Sequence, residues 1–172
     1  MTKLKDDPQM IVKVKQIFED VLASLMEQDV ENTTEYIEWL KRKTELRYGP
    51  EIQHSFFILN NCIYWANLGQ NIGSEQDKHR PVLIVRTESK STVCVVIPLT
   101  EERLNDGFWY HIDLEKLNST ALVEQLRVIS KRRIDKPKRA SGKIVSITEN
   151  DWLSINNELK RLYTLKPLKK NQ

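Results

Sequence analysis

The chain has 172 residues, of which 40% are hydrophobic and 30% charged, and its net charge is +3 at pH 7. This composition predicts a folded, soluble protein with one real core and room for an appendage. The longest apolar runs are only strand-sized, which excludes a membrane span, and no signal-peptide core follows the N-terminus, so we expect a cytoplasmic protein. Cys62 and Cys94 lie in strand-like runs without zinc-site spacing, and we expect both to be free thiols.

Charge is divided unevenly along the chain. Residues 1–53 contain 8 Lys and Arg against 11 Asp and Glu, a net charge of −3, whereas residues 54–172 contain 19 against 13, a net charge of +6. A basic body joined to an acidic N-terminal piece indicates a polyanionic partner for the body. The hydrophobic period changes at the same point, so we predict an N-terminal helical extension over 1–53 and a main domain over 54–172.

Two helices are predicted in the extension. The first begins with Asp7 as N-cap and Pro8 at the first helical position. Its apolar residues recur every three to four positions, as on one face of a helix: Met10, Ile11, Val14, Ile17, Phe18, Val21, Leu22, Leu25 and Met26. A second helix is predicted over about residues 34–48, capped by Thr33 or Thr34. An antiparallel helical hairpin is the simplest arrangement of the two.

The main domain is rich in short segments with the composition of β-strands. Apolar, aromatic and β-branched residues cluster in five segments bounded by turn residues: "SFFILNNCIYWANL", "RPVLIV", "TVCVVIPLT", "GFWYHIDL" and "TALVEQLRVIS". Asn60-Asn61 predicts a turn or bulge inside the first. Thr148 and Asp151 predict a capping box that opens a terminal helix. The predicted fold is α+β, a small curled sheet or barrel with a C-terminal helix, preceded by the helical hairpin.

In "GSEQDKHRPVLIV", residues 73–85, a charged loop runs directly into an apolar strand. Pro81 restricts Arg80 to an extended backbone, so Arg80 enters the strand with a fixed direction. Because a strand alternates its faces, we expect His79 and Arg80 to point to different sides. A surface ion pair is the alternative role for an arginine at such a junction.

The strand "TVCVVIPLT" ends in Thr100, a hydroxyl that serves either a site or an ordinary turn. Pro98 cannot donate to a ladder, so we expect the strand to end there or to lie at a sheet edge. Glu124 follows an apolar run and needs a partner if it is buried. A cation is the expected partner, supplied by Arg80 or Arg127, and a structural ion pair is the alternative to a functional role.

Residues 127–143 contain eight Lys or Arg among seventeen residues and a single acid. Such a segment is either a solvated loop or a rim that binds phosphates. No aromatic residue interleaves it, so base stacking would have to come from Trp65, Phe108 or Trp109.

Four short motifs occur in a fixed order along the main domain: Gly73-Ser74-Glu75-Gln76, Arg80-Pro81, Pro98 with Thr100, and Glu124-Gln125-Leu126-Arg127. With these motifs at these distances, residues 56–165 resemble the MazF/PemK family of toxins from toxin–antitoxin systems. Two features depart from the family pattern. Asn61-Cys62 stands where the family usually has Gly-Asp before its first strand, and residues 1–53 have no counterpart in its compact members.

The resemblance implies an SH3-like barrel, a homodimer and an endoribonuclease that cuts single-stranded RNA at short sequences without a metal or another cofactor. It implies attack by the ribose 2′-OH, leaving a 2′,3′-cyclic phosphate and a 5′-OH. It also implies an antitoxin protein as partner. We expect no membrane interaction, because no amphipathic stretch combines a strongly basic face with exposed aromatic residues. By position, Arg80 and Thr100 match the family's catalytic arginine and threonine. We predict RNA contacts at Ser74, Glu75, Gln76, His79, Glu124, Gln125, Arg127, Lys131 and Arg132.

The chemistry suits these residue types, with the general base left open. Arg80 can hold two oxygens of a phosphorane with its planar fork, and Thr100 can donate a third hydrogen bond. Because arginine stays protonated, Glu75, Glu124 or His79 is a chemically easier base. The alternative function is a weakly active or inactive module that binds RNA or an antitoxin and is regulated by its helical extension. The stripe of the first helix can instead pack on the barrel or build a larger oligomer.

Overall fold

The computed structural model describes residues 2–166 and divides the chain into two compact units, Met1–Glu45 and Leu46–Gln172. The first unit holds a short 3₁₀ turn, helix α1 at Pro8–Leu25 and the larger part of helix α2 at Val30–Tyr48. None of the helices in the described residues is both long and apolar enough to cross a membrane.

Side-chain caps determine where the first two helices begin. The Asp7 carboxylate caps α1, as predicted. Helix α2 starts at Val30, four residues earlier than predicted, because the Asp29 carboxylate accepts a hydrogen bond from the Asn32 N–H at 2.8 Å. Thr34 is therefore not a cap but lies inside the helix, where its hydroxyl donates to the Val30 carbonyl at 2.8 Å.

The predicted apolar stripe of α1 is present, but no residue of this helix is buried. Half-buried residues mark its centre, and several large apolar side chains beside them are exposed: Met10, Ile17, Phe18, Leu22 and Met26. Across the described residues of the first unit, none is buried. The hydrophobic core that holds the protein's fold lies in the second unit.

The second unit is built on an antiparallel sheet. Its strands in chain order are β1 Ile63–Gly69, β2 Lys78–Thr87, β3 Val93–Thr100, β4 His111–Asp113, β5 Thr120–Leu122, β6 Arg127–Ser130 and β7 Ile134–Pro137. Across the sheet the order is β4-β5-β3-β2-β1-β7, and β6 also pairs with β3. Two short strands, β8 Arg139–Ala140 and β9 Lys143–Ile144, form a separate sheet, and helix α3 follows at Glu149–Tyr163. The predicted α+β class, with two N-terminal helices and one at the C-terminus, is confirmed.

Strand β3 lies inside the sheet and changes its neighbour along one side. Its first half, Val93–Val96, pairs with β6, whereas Leu99 and Thr100 pair with β5. Pro98 lies between these two stretches, a place where an interior strand tolerates a residue without an N–H. The expectation that Pro98 marks a strand end or a sheet edge was therefore wrong, since β3 continues to Thr100.

The change of neighbour arises because residues 120–130 do not form one strand. The prediction of a single strand there was wrong. A 3₁₀ turn at Val123–Gln125 separates β5 from β6. This turn takes Glu124 and Gln125 out of the ladder. The predicted strand around "GFWYHIDL" is also shorter, because only His111–Asp113 pairs with β5.

Two hydrophobic clusters lie on opposite faces of β1, β2 and β3, because alternate residues of a strand point to opposite sides. The first consists of Tyr64, Ala66, Leu68, Val82, Ile84, Cys94, Val96, Ile129 and Ile134. The second consists of Ile63, Leu83, Ile97, Leu99, Leu114, Ala121, Val123 and Ile155. Helix α3 packs on the second cluster through Ile155, Leu159 and Leu162, and it opens with the predicted capping box of Thr148 and Asp151.

Candidate functional site

The loop between β1 and β2 carries the first conspicuous group of polar residues. Gly73 adopts a φ of +62°, a left-handed conformation that glycine reaches at little cost. Inside the loop, the Asn71 side-chain amide donates to the Gln76 carbonyl at 2.7 Å. These features hold residues 71–77 as a shaped turn directly before Arg80.

Gln125 fastens this loop to the 3₁₀ turn. Its Oε1 accepts from the Gln76 N–H at 2.6 Å and from Arg127 Nη2 at 3.3 Å, while its Nε2 donates to the Ser74 carbonyl at 3.2 Å. The side-chain amide of Gln125 therefore forms hydrogen bonds to the backbone at both ends of the Ser74–Gln76 segment. The break of the predicted strand at Val123–Gln125 is what allows Gln125 to reach the loop.

Arg80 is anchored by the residues immediately before it. Its Nε donates to the Asp77 carbonyl at 2.6 Å, its Nη1 to Gln76 Oε1, and its Nη2 approaches Asp77 Oδ1 at 3.5 Å. The side chain is 20% exposed. Rotation of the guanidinium is thereby restricted, while part of it stays open to a ligand.

Arg80 and Thr100 lie on two neighbouring strands, near the same end of their ladder. The last pair of the ladder is Val82 of β2 with Pro98 of β3, and Arg80 and Thr100 each lie two residues beyond it. A continued antiparallel register would set the two side chains on one face of the sheet. Thr100 is only 6% exposed, and its Oγ1 accepts from the Glu102 N–H at 3.2 Å, so its hydroxyl proton is left to donate.

Further guanidinium groups lie in the same electrostatic neighbourhood. Burial lowers the pKa of Arg127, and the charge of Arg80 lowers it too, against the opposing effect of Glu75 and Asp77. Burial and then the charge of Arg127 lower the pKa of Arg133. Since like charges are held close together here, an anion that neutralises them is favoured.

Between the loop and the 3₁₀ turn lies a groove of about 570 Å³. It is lined by Ile72, Ser74, Glu75, Glu124, Gln125, Leu126 and Arg127. Five of the nine residues predicted to contact RNA therefore lie together on one concave surface: Ser74, Glu75, Glu124, Gln125 and Arg127. Gln76 joins them through its hydrogen bond to Gln125.

Glu124 is paired with a histidine and not with an arginine, so the predicted partners Arg80 and Arg127 were wrong. Its Oε1 lies 3.2 Å from Nε2 of His111, whose Nδ1 lies 2.7 Å from Asp106 Oδ2. Burial raises the pKa of Asp106, but hydrogen bonds from the Phe108 N–H and from His111 outweigh it and hold the pKa below its ordinary value. A buried histidine thus links two carboxylates at the groove wall.

Three of the predicted RNA contacts lie outside this groove. His79 stacks on Trp65 with a centroid distance of 5.4 Å and pairs with Asp135 at 3.2 Å. Lys131 Nζ donates to the Glu88 carbonyl at 2.6 Å, and Arg132 Nη2 donates to the Pro50 carbonyl at 2.8 Å. The role of these three in RNA binding stays a prediction.

Several residues of the site were missed by the sequence analysis. Asp77 supplies both a carbonyl and a carboxylate to Arg80, and the pair Asp106 and His111 supports Glu124. Asp77 was detectable, since it lies three residues before Arg80. The contact between His111 and Glu124 was not, because the two residues are thirteen positions apart in the sequence. Arg133 belongs to the basic segment that was noted only as a whole.

The two cysteines are free, as predicted. Burial raises the pKa of Cys94 to about 11, against a smaller lowering effect of Lys131, and burial also raises the pKa of Cys62. These thiols therefore stay protonated at neutral pH. Among residues 2–166, no group of three or more His, Cys, Asp or Glu side chains is placed to hold a metal ion.

Comparison with known proteins places residues 61–163 in a family described as PemK-like, MazF-like toxin of type II toxin-antitoxin system. A curated relative, endoribonuclease MazF of Staphylococcus epidermidis, is 27% identical over 111 residues, which cover 59% of this chain and 88% of the relative.

One solved structure shows the same fold. The crystal structure of MazF (Form-I) from Deinococcus radiodurans superposes with a TM-score of 0.52 at 16% identity, covering 63% of this chain and 97% of that chain. The MazE-MazF structure (Form-II) from the same organism gives a TM-score of 0.48 at 16% identity, covering 62% of this chain and 96% of that one. The matched family segment contains the groove, Arg80 and Thr100, whereas both N-terminal helices lie outside it.

Proposed function

Since the chain belongs to the family of PemK-like and MazF-like toxins of type II toxin–antitoxin systems, we propose that it is an endoribonuclease that cleaves single-stranded RNA at short sequences. The single observation that supports this proposal is the pairing of Val82 with Pro98 in adjacent strands, because Arg80 and Thr100 each lie two residues beyond that pair. The groove beside them, with Arg127 in its wall, offers an anionic chain a path to this pair. The name of the Staphylococcus epidermidis relative supports the same activity.

In the proposed reaction the ribose 2′-oxygen attacks the adjacent phosphorus and the bond from phosphorus to the 5′-oxygen breaks. The products are a 2′,3′-cyclic phosphate and a 5′-OH, the proton of the 2′-OH passing to a base and the leaving oxygen gaining one. Arg80 stabilises the negative charge that grows on the phosphoryl oxygens, and the Thr100 hydroxyl donates to one of them. None of these steps calls on a metal ion or another cofactor.

The general base is proposed among the carboxylates of the groove wall. Glu75 and Glu124 both line the groove, whereas His79 stacks on Trp65 and pairs with Asp135 outside it. A carboxylate also accepts a proton without first losing one, which an arginine cannot do.

Two further properties are proposed on the strength of the family. One is a homodimer that is neutralised by a cognate antitoxin protein, in keeping with the description of type II toxin-antitoxin systems. The other is action in the cytoplasm, where mRNA is available. Neutralisation is tested by co-expression: a genuine antitoxin co-purifies with the chain and suppresses its cleavage of RNA.

The test of the activity is cleavage of a long single-stranded RNA in EDTA, followed by mapping of the product ends. The wild type is expected to cut at a small set of sequences, and Arg80→Ala and Thr100→Ala are expected to abolish these cuts. Arg86→Ala is the matched control, because Arg86 belongs to the same strand, is exposed and pairs with nearby Glu88. Cleavage that survives Arg80→Ala, or no cleavage by the wild type, contradicts the proposal.

A further inference from the structure

The N-terminal unit has no core of its own. It comprises Met1–Glu45, and none of its described residues is buried. Units of this size are usually stabilised by a disulfide, a metal or oligomerisation. Both cysteines lie outside the unit, and its described part holds no cluster of metal-ligating side chains. Neither a disulfide nor a metal therefore supports it, which leaves oligomerisation.

Helix α1 carries a wide apolar face. Five apolar residues follow one another at alternating spacings of three and four, as the a and d positions of a coiled coil do: Ile11, Val14, Phe18, Val21 and Leu25. Four of these are half-buried, whereas Phe18 in the middle is 57% exposed. Further exposed apolar side chains lie on both sides of this line, namely Met10, Ile17, Leu22 and Met26. At 3.6 residues per turn the whole face covers about half of the helix circumference, which is more than the seam that pairs with a single helix.

The charges of α1 are divided at the middle of the helix. Lys13 and Lys15 lie in its first half, whereas Glu19 and Asp20 lie in its second half. The helix macrodipole does not account for this order, since the first turn of α1 has no acidic residue and the last turn has no basic one.

The same division extends beyond the helix. Residues 2–16 contain four Lys against two Asp, whereas residues 17–38 contain seven Asp or Glu and no Lys or Arg. An antiparallel arrangement of two α1 helices sets the basic half of each beside the acidic half of the other. The face is therefore complementary to itself in charge, as the interface of a two-fold dimer must be.

We propose that this apolar face binds the same face of a second copy of the chain, with the two α1 helices antiparallel about a two-fold axis at Phe18. The two Phe18 rings then meet at the axis, and Met10 lies beside Met26 of the second copy. This surface lies outside residues 61–163, which match the family, so it is additional to the homodimer proposed from the family. It does not depend on the proposed cleavage of RNA.

Sedimentation of the full-length protein over a range of concentrations tests the surface. Phe18→Asp places two carboxylates at the axis and is expected to raise the dissociation constant for self-association by about tenfold or to abolish the larger species. Val12→Asp is the matched control, because Val12 belongs to the same helix, is 68% exposed and lies on the side away from the apolar face. This control is expected to self-associate as the wild type does.

The antiparallel orientation is tested by disulfide cross-linking of the full-length protein. Met10→Cys and Met26→Cys are prepared separately and oxidised either alone or as an equal mixture. The mixture is expected to give a cross-linked dimer, and each variant alone is expected to give almost none. The wild type, which keeps its native Cys62 and Cys94, is the control for cross-links elsewhere.

Charge reversal tests the pairing of unlike halves. Lys13→Glu combined with Lys15→Glu makes both halves of α1 acidic and is expected to weaken self-association at low salt, and to weaken it less at high salt. Adding Glu19→Lys and Asp20→Lys restores unlike halves and is expected to restore the wild-type dissociation constant.

Three results overturn the inference. Phe18→Asp that keeps the wild-type mass but melts at a lower temperature would mean that the face packs within one chain. Phe18→Asp that changes neither mass nor Tm would leave the face to a different partner. Cross-linking of Met10→Cys with itself, and not with Met26→Cys, would mean that the helices pair in parallel.

Discussion

Two charged clusters lie on either side of Gln125, and they are built in opposite ways. On one side, Arg80 and Arg127 are held by carbonyl and amide oxygens of the β1–β2 loop and the 3₁₀ turn. On the other, Glu124 is held by His111 and, through it, by Asp106. The first cluster presents cations that suit phosphate, whereas the second presents a carboxylate that phosphate avoids. The comparison distinguishes a cluster that is suited to phosphate from one that is not.

The largest effect is expected from changing the shape of the cation without its charge. Arg80→Lys keeps a positive group but loses the planar fork, so kcat for RNA cleavage is expected to fall by at least about 100-fold. Arg86→Lys in the same strand is the control and keeps its activity. Activity of Arg80→Lys within a few-fold of wild type would show that charge alone suffices and that the fork has no role.

A smaller loss is expected when the hydroxyl of Thr100 is removed. Thr100→Val keeps the shape and removes one donor, so kcat is expected to fall by about 10- to 100-fold, while Thr100→Ser retains most of the activity. Single-turnover cleavage measures both. Equal activity of Thr100→Val and Thr100→Ser would remove Thr100 from the chemistry.

Gln125 links the β1–β2 loop to Arg127, and its loss is expected to affect binding more than chemistry. Gln125→Ala removes the contacts to Gln76, Ser74 and Arg127, and KM is expected to rise by about tenfold with a smaller change in kcat. Limited proteolysis checks the cause, since the loop over residues 71–77 becomes easier to cut. A loss confined to kcat would mean that Gln125 acts in the chemical step.

The smallest effect concerns stability at the second cluster. Because the pKa of Asp106 is lowered from its ordinary 3.8, its contribution to stability is present above that value and is lost as the pH falls through the folded pKa. Asp106→Asn is expected to lower Tm by roughly 3 °C at pH 7 and by almost nothing at a pH below the folded pKa. Thermal melts across pH check this, with exposed Asp135→Asn as the control. An Asp106→Asn difference that is the same at every pH would exclude the ionised carboxylate as its cause.

Local signals predicted most of the fold correctly. The caps at Asp7 and Thr148 are contacts between residues three apart, which a sequence displays directly. The strands β2 and β3 are apolar because both of their faces carry a core cluster. The order of the four motifs likewise pointed to the family, and the family match over residues 61–163 contains all four.

Contacts between distant segments were the part that the sequence could not supply. At the break at Val123–Gln125, β3 exchanges its neighbour β6 for β5. This exchange is a contact between distant segments, which residues 120–130 do not reveal by themselves. An arginine was predicted as the partner of Glu124, because the charge of an arginine can be recognised in the sequence. The burial of His111 beside Glu124 cannot be recognised there. The start of α2 was missed for a local reason, since two threonines looked like better caps than Asp29.

The most direct test of the central claim replaces the proposed nucleophile in the RNA. A substrate with one mapped cleavage site is synthesised twice, once as RNA and once with a single 2′-deoxyribose on the 5′ side of the scissile phosphate. The account predicts that the wild type cleaves the first, leaving a 2′,3′-cyclic phosphate, and leaves the second intact while still binding it. Cleavage of the deoxy-substituted strand at the same bond would contradict the account.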